Sequence, residues 1–293
     1  MADGDDNGAG AGGPAPTTGS GGGIDLGILL GLPFAFGMII VGLLLEGANP
    51  GSYVGISAAC FVFGGTFGIT AAAVGLKRFS QLPQLFARVL RYTPANRVGA
   101  IGVLVGFAER ARREGLLVLE DDLRNVDDEF LRRGVQLVVD GTDPELVKEI
   151  LRTEVDSLHE ERHAEAQIWE MMGGYAPTMG IVGTVIGLVV TLSNISDPAS
   201  LAGAIAIAFL ATLYGVGSAN LIYLPIGNKL TACASDEVSG REMLIEGILA
   251  IQSGDNPRIV EEKLIAFLTT GDRARYRAAK AASDFDSDMD LAA

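Results

Sequence analysis

Two hydroxyls in apolar surroundings are the residues of this sequence best placed for chemistry. Thr184 stands in the run Ala176-Pro-Thr-Met-Gly-Ile-Val-Gly-Thr-Val-Ile-Gly-Leu, and Thr212 in Ala211-Thr-Leu-Tyr-Gly215. A hydroxyl oxygen is a hard neutral ligand that can replace part of a cation's hydration. It can equally bond the carbonyl one turn back in its own helix. Both threonines lie in stripes of small residues at helical spacing. One stripe is Gly180, Gly183, Thr184, Gly187 and Thr191; the other is Ala204, Ala208, Ala211, Thr212, Gly215 and Ser218/Ala219. Small stripes let helices approach closely in lipid. They fit packing on each other and on the earlier apolar segments, including Gly64-x-x-x-Gly68. They also fit the lining of a partner's helix or of a wet ion path.

What these segments lack is as informative. No Asp, Glu, His, Lys or Arg occurs within the four apolar stretches 26–45, 54–76, 171–194 and 199–228. Moving an ion through lipid generally needs an intramembrane ionisable group or a shaped carbonyl site. If this chain moves ions, a partner must supply the acid. Pro177 and Pro225 sit near one end of the third and fourth stretches. Each removes a backbone donor, which makes it a boundary, a kink or a hinge.

Other chemistry finds little footing. His159 and His163 are four apart, but Glu160-Glu161-Arg162 between them does not make H-E-x-x-H, and three zinc ligands are not evident. The Gly-rich start lacks the Lys-Ser/Thr of a P-loop, so no nucleotide site is read. Cys60 and Cys233 lie at different depths and read as reduced and structural. No nucleophile–base or metal constellation appears, so the chain does not read as an enzyme and no cofactor is expected. The net charge of −14 argues against nucleic acid as a partner.

The elements that must hold the two threonines follow from the apolar blocks. A helix needs roughly 20 apolar residues to cross the hydrocarbon, and backbone polar groups there must be satisfied internally. The reading is an all-α polytopic membrane protein with four transmembrane helices and a helical cytoplasmic domain. Residues 1–23 read as a disordered Gly-rich tail and not as a signal peptide. Residues 24–76 form a first hairpin, 77–170 a charged helical domain, 171–228 a second hairpin, 229–270 a helical tail and 271–293 a disordered acidic end. Lys77, Arg78, Arg88, Arg91, Arg97 and Lys229 put 77–170 and both termini inside; the loops 46–53 and 195–198 carry no basic residue and lie outside. Within 77–170 a helix over 98–113 ends at Gly115, and a second run extends from 116 toward 131. Asp143-Pro144 and Asn256-Pro257 read as helix starts. The charges from Arg152 to Glu165 read as the solvated face of a long helix that continues into the third span.

The motifs together resemble the MotA/PomA family. They are Ala176-Pro177-Thr-Met-Gly180-Ile-Val-Gly183-Thr184, Asp197-Pro198, Ala211-Thr212-Leu-Tyr-Gly215, Ala219-Asn220 and Pro225. Arg112-Arg113-Glu114-Gly115-Leu-Leu-Val-Leu-Glu120, Glu246-Gly247-Ile-Leu-Ala-Ile and Asn256-Pro257-Arg258 extend the likeness over roughly 25–270. The resemblance implies an inner-membrane stator subunit of the flagellar motor. It forms a homo-oligomeric ring, a pentamer, around B-type subunits whose single helix carries the ion-binding Asp. Sodium ions or protons pass, and the cytoplasmic domains push a FliG-like rotor protein. The resemblance assigns Thr184 and Thr212 to the ion path and Pro177 and Pro225 to the coupling hinge. Arg112, with Arg113 beside it, and Glu120 become the rotor contact. Thr at 184 resembles sodium-driven members, and both ions stay open. An ExbB/TolQ-type energiser, a repurposed stator and a passive scaffold are the alternatives. The first hairpin and the 112–120 motif count against the ExbB/TolQ plan.

Overall fold

The computed structural model describes residues 26–193, 198–278 and 280–281. Among them the regular elements are helical. The readings of 1–23 as a tail and of the last residues as an acidic disordered end lie outside the described residues, as does most of the loop 195–198.

α1 is Leu26–Leu45, an apolar helix with Pro33 inside it. A short 3-10 turn, Pro50–Tyr53, leads to α2 (Ile56–Ala59), a π turn (Cys60–Gly64) and α3 (Gly65–Val74), which follow without a break. Gly75 stops this span at φ 83°, a conformation open to a residue without Cβ. α4 (Leu76–Phe79) and the amphipathic α5 (Leu82–Leu90) follow. Then come α6 (Arg97–Glu114), α7 (Leu119–Asp122) and α8 (Glu129–Val139). α9 (Pro144–Ser193) has 50 residues, about 75 Å at 1.5 Å each. That exceeds twice the hydrocarbon thickness of roughly 30 Å, so α9 carries both a charged half and a span. α10 (Pro198–Ser218), a π turn (Ala219–Tyr223) and α11 (Leu224–Gln252) do the same in the opposite order. α12 is Pro257–Ile265. Among the described residues, four helical segments are long and apolar enough to cross a membrane, in the four places the sequence indicates.

The expected helix starts form as read. Asp143 accepts from the Glu145 N–H at 3.0 Å and Asn256 from the Arg258 N–H at 3.1 Å. The run expected from 116 toward 131 is instead broken. α7 is flanked by 3-10 turns at Leu116–Val118 and Leu123–Asn125, and α8 starts afresh on Asp128, which caps Leu131 N–H at 2.9 Å. Burial of Leu119 and Leu123 holds this broken path in place. A second correction concerns the end. Residues 270–278 are helical, and Tyr276 donates to Glu261 at 2.9 Å, so the unstructured end expected from 271 does not begin there.

The chain divides into two compact units. One gathers 95–153 with the described residues from 239 on. Its core is Ile101 and Leu104 of α6, Val135 of α8, Leu151, Ile248 of α11 and Leu264 of α12, all buried. The other holds 26–94 and the described residues of 154–238, including the spans. There α5 sets Leu82, Leu85 and Val89 against Ile168, Trp169 and Met172 of α9, Tyr223 of the second π turn, and Ile226 and Leu230 of α11.

Candidate functional site

The small stripes of the third and fourth spans meet each other. A Cβ added at Gly180 would lie 2.8 Å from the Ala211 carbonyl oxygen and 3.3 Å from Gly215 Cα. One at Gly215 would lie 2.5 Å from the Ala176 carbonyl oxygen, and one at Gly187 3.0 Å from Ala208 Cβ. Backbones this close need residues without side chains at the crossing. The seam continues past the prolines: Gly173 meets Leu224, and Gly227 lies under the side chain of Glu170. Thr231 donates to Glu170 Oε1 at 3.3 Å.

Span two closes one side of this pair. Phe61 Cβ is 3.2 Å from the position of a Gly183 Cβ, and Met179 fills the space over Gly65. Tyr214 accepts from Gly55 N–H at 3.0 Å and donates to the Tyr53 carbonyl. The sequence suggested Gly64 and Gly68 as the packing pair. Neither has an atom within 4 Å of its would-be Cβ, and the contact glycine of this span is Gly65. A G-x-x-x-G spacing marks a small face but not which face a neighbour covers.

Thr184 and Thr212 come together on the seam. Their hydroxyl oxygens are 2.6 Å apart. Thr184 Oγ1 is also 3.0 Å from the Gly180 carbonyl and 2.9 Å from that of Ala208. Four oxygens therefore cluster around two hydroxyl protons. Protons can satisfy some of these contacts but leave acceptor capacity over. Both side chains are half-buried, so the cluster is not sealed inside the chain. Thr191 is more buried and bonds its own helix, to the Gly187 carbonyl at 2.7 Å. The Thr66 hydroxyl of span two is buried without a hydrogen-bond partner among the described residues.

The two prolines differ in setting. Pro177 lies inside the unbroken α9, one residue after the Ala176 carbonyl that Gly215 touches. Pro225 follows the π turn at Ala219–Tyr223, where Leu224 N–H reaches back five residues to the Ala219 carbonyl. Pro225 has no N–H to offer the Leu221 carbonyl, and the wider turn absorbs that defect. The sequence located the proline but not the π turn, because only hydrogen-bond register reveals it.

Arg112, Arg113 and Glu120 belong to the other unit. The two arginines close α6, and Glu120 starts α7 beyond Gly115. All three are exposed, Leu117 between them is 75 % exposed, and no ion pair involves the three among the described residues. Their neighbours Arg110 and Asp122 do pair. His159 and His163 are exposed with ring centroids 6.3 Å apart. No group of three or more His, Cys, Asp or Glu converges among the described residues.

Comparison with known proteins places this architecture. Residues 122–243 match the MotA/TolQ/ExbB proton channel family. Motility protein A of Borreliella burgdorferi is 35% identical over 252 residues, 86% of this chain and 97% of that one. Chemotaxis protein PomA of Vibrio alginolyticus is 32% identical over 252 residues, covering 86% and 98%. Among solved structures, the flagellar MotAB stator complex of Bacillus subtilis contains a chain that superposes with a TM-score of 0.78 at 34% identity, covering 84% of this chain and 98% of that one. A chain of C. jejuni MotAB gives 0.79 at 33%, covering 84% and 97%.

Proposed function

The chain belongs to the MotA/TolQ/ExbB proton channel family, and from that premise we propose that it is the A-type subunit of a flagellar stator, turning ion flow into torque. One observation carries the reading: the Thr184–Thr212 oxygen cluster sits half-open on a seam whose spans, 171–194 and 199–228, hold no Asp, Glu, His, Lys or Arg. Such a seam offers an ion neutral ligands but no counter-charge, and burying a charge without one is costly. The complement is a B-type subunit whose membrane helix brings an Asp to the hydroxyls. The likeness to chains of MotAB complexes, over 84% of this chain, supports that partner.

The finer parts of the reading rest on the same logic. The subunit sits in the inner membrane with both termini cytoplasmic and assembles as a pentameric ring. Sodium ions or protons descend the membrane potential, which supplies about 2.3 kcal/mol per charge per 100 mV. Pro177 and Pro225 act as the hinge, because each removes a helix hydrogen bond beside the seam. Arg112, Arg113 and Glu120 meet a FliG-like rotor protein: they are exposed charges with no ion pair among the described residues. No catalytic role is proposed.

The test is ion uptake by vesicles holding this chain with a B-type subunit. Uptake is expected with both chains, and is expected to fall when the partner's Asp is replaced by Asn. Equal uptake with and without that Asp would overturn the reading.

A further inference from the structure

Among the described residues the chain passes between its two units three times: after Pro94, before Glu154 and after Val238. Just inside the span unit, each crossing carries side chains that reach the other two. Near the first, Tyr92 donates to Asp236 Oδ2 at 2.6 Å, with the Cys233 carbonyl 3.3 Å away, which ties it to the third. Arg88, also near the first, pairs with Glu165 near the second. Arg162, near the second, sends Nε to Glu237 Oε2 near the third at 3.1 Å, and its Nη1 lies 3.4 Å from Glu165. The three contacts close a triangle.

This triangle corrects the reading of the charged half of α9 as a solvated face. Glu160 and Glu161 are solvated, but the side chains of Glu165 and Arg162 are only 15% and 22% exposed. Arg162 uses two edges of its guanidinium for two carboxylates, a geometry that a point charge such as Lys does not match. Burial, followed by the hydrogen bond to Asp236, pushes the Tyr92 hydroxyl up and keeps it protonated as a donor.

We propose that the triangle is a coupling clamp, with Arg162 as its positioning residue. The proposal rests on the stator reading above. Bending at Pro177 or Pro225 moves one helix. The apolar packing of α5 against α9 and α11 holds these helices together but is non-directional; the directional cross-ties fix their register, so that motion of one helix is carried out of the span unit. The clamp makes the three chain segments move together.

The experiment uses the full chain with its B-type partner in cells lacking the native gene. Arg162→Glu and Glu237→Arg are made singly and together, with Arg162→Gln and Tyr92→Phe as milder variants. Stall torque, ion uptake and membrane level are read for each. Each charge reversal is expected to lower torque about five-fold, within the range of coupling between paired neighbours, while uptake and membrane level stay within about two-fold. The swapped pair is expected to regain part of the torque, because it remakes the tie between positions 162 and 237 but not the one to Glu165. If a reversal prevents membrane insertion, the Gln and Phe variants must show the same loss of torque per ion. Wild-type torque in Arg162→Glu, or torque and uptake falling together with no rescue in the swapped pair, would overturn the clamp alone. Failure of the unaltered chain to give ion-dependent rotation would instead overturn the stator reading.

Discussion

Thr184 can donate one proton, yet three oxygens stand within 3.0 Å of its hydroxyl. That surplus of acceptors supports the proposed role of the pair in the ion path beyond helix packing. A net neutral hydrogen bond contributes about 1 kcal/mol, so Thr184→Ala should cost the isolated chain little. Its effect on ion binding should be larger. We predict that Thr184→Ala raises the ion concentration for half-maximal rotation about ten-fold, equivalent to about 1.4 kcal/mol, and that Thr184→Ser stays near wild type. Titrating rotation speed against the driving ion measures both. An unchanged half-maximal concentration in Thr184→Ala would remove the hydroxyl from the ion path. The threonines were legible in the sequence because hydroxyls stand out in apolar stretches. Their direct contact was not, because it depends on the register of two segments 28 residues apart.

The register of the two spans is set by glycines. A methyl at Gly215 would stand 2.5 Å from the Ala176 carbonyl, and overpacking of this kind costs about 1–3 kcal/mol. Gly215→Ala and Gly180→Ala should therefore lower the thermal midpoint of the purified chain in detergent. Gly64→Ala and Gly68→Ala should leave it unchanged or raise it, since nothing lies within 4 Å and Ala favours helix by about 1 kcal/mol. Equal shifts at all four positions would contradict the seam. The fourth span adds a hinge prediction. Pro225→Ala restores a donor to the helix and should keep or raise stability while lowering stall torque several-fold. Wild-type torque in that variant would leave the π turn as a packing feature only. The spans, caps and long helices were readable from blocks of apolar residues and from Asp-Pro and Asn-Pro. The break at 116–128 was not, because burial of Leu119 and Leu123 overrides local helical pattern there.

At the scale of the whole molecule, the proposed function turns ion flow in the span unit into force at the unit that holds Arg112, Arg113 and Glu120. Arg112, Arg113 and Glu120 are exposed, and surface substitutions usually change stability by no more than about 0.5 kcal/mol. Charge reversal at Arg112 or Glu120 should thus leave the membrane level unchanged and reduce torque, and opposite reversals on the rotor protein should restore it. Normal torque in both reversals would move the rotor contact elsewhere. These charges were legible as a motif, but the Arg162 triangle was not: each of its members sits among other surface charges, and only the fold selects them. The most direct test of the central claim is rotation of tethered cells lacking this gene, with filaments counted, before and after its return, as the sodium and proton gradients are collapsed in turn. The account predicts filamented but motionless cells, rotation restored by the gene, and its arrest with one of the two gradients. Normal rotation without the gene in cells with no other stator, or restored rotation that survives loss of both gradients, would contradict it.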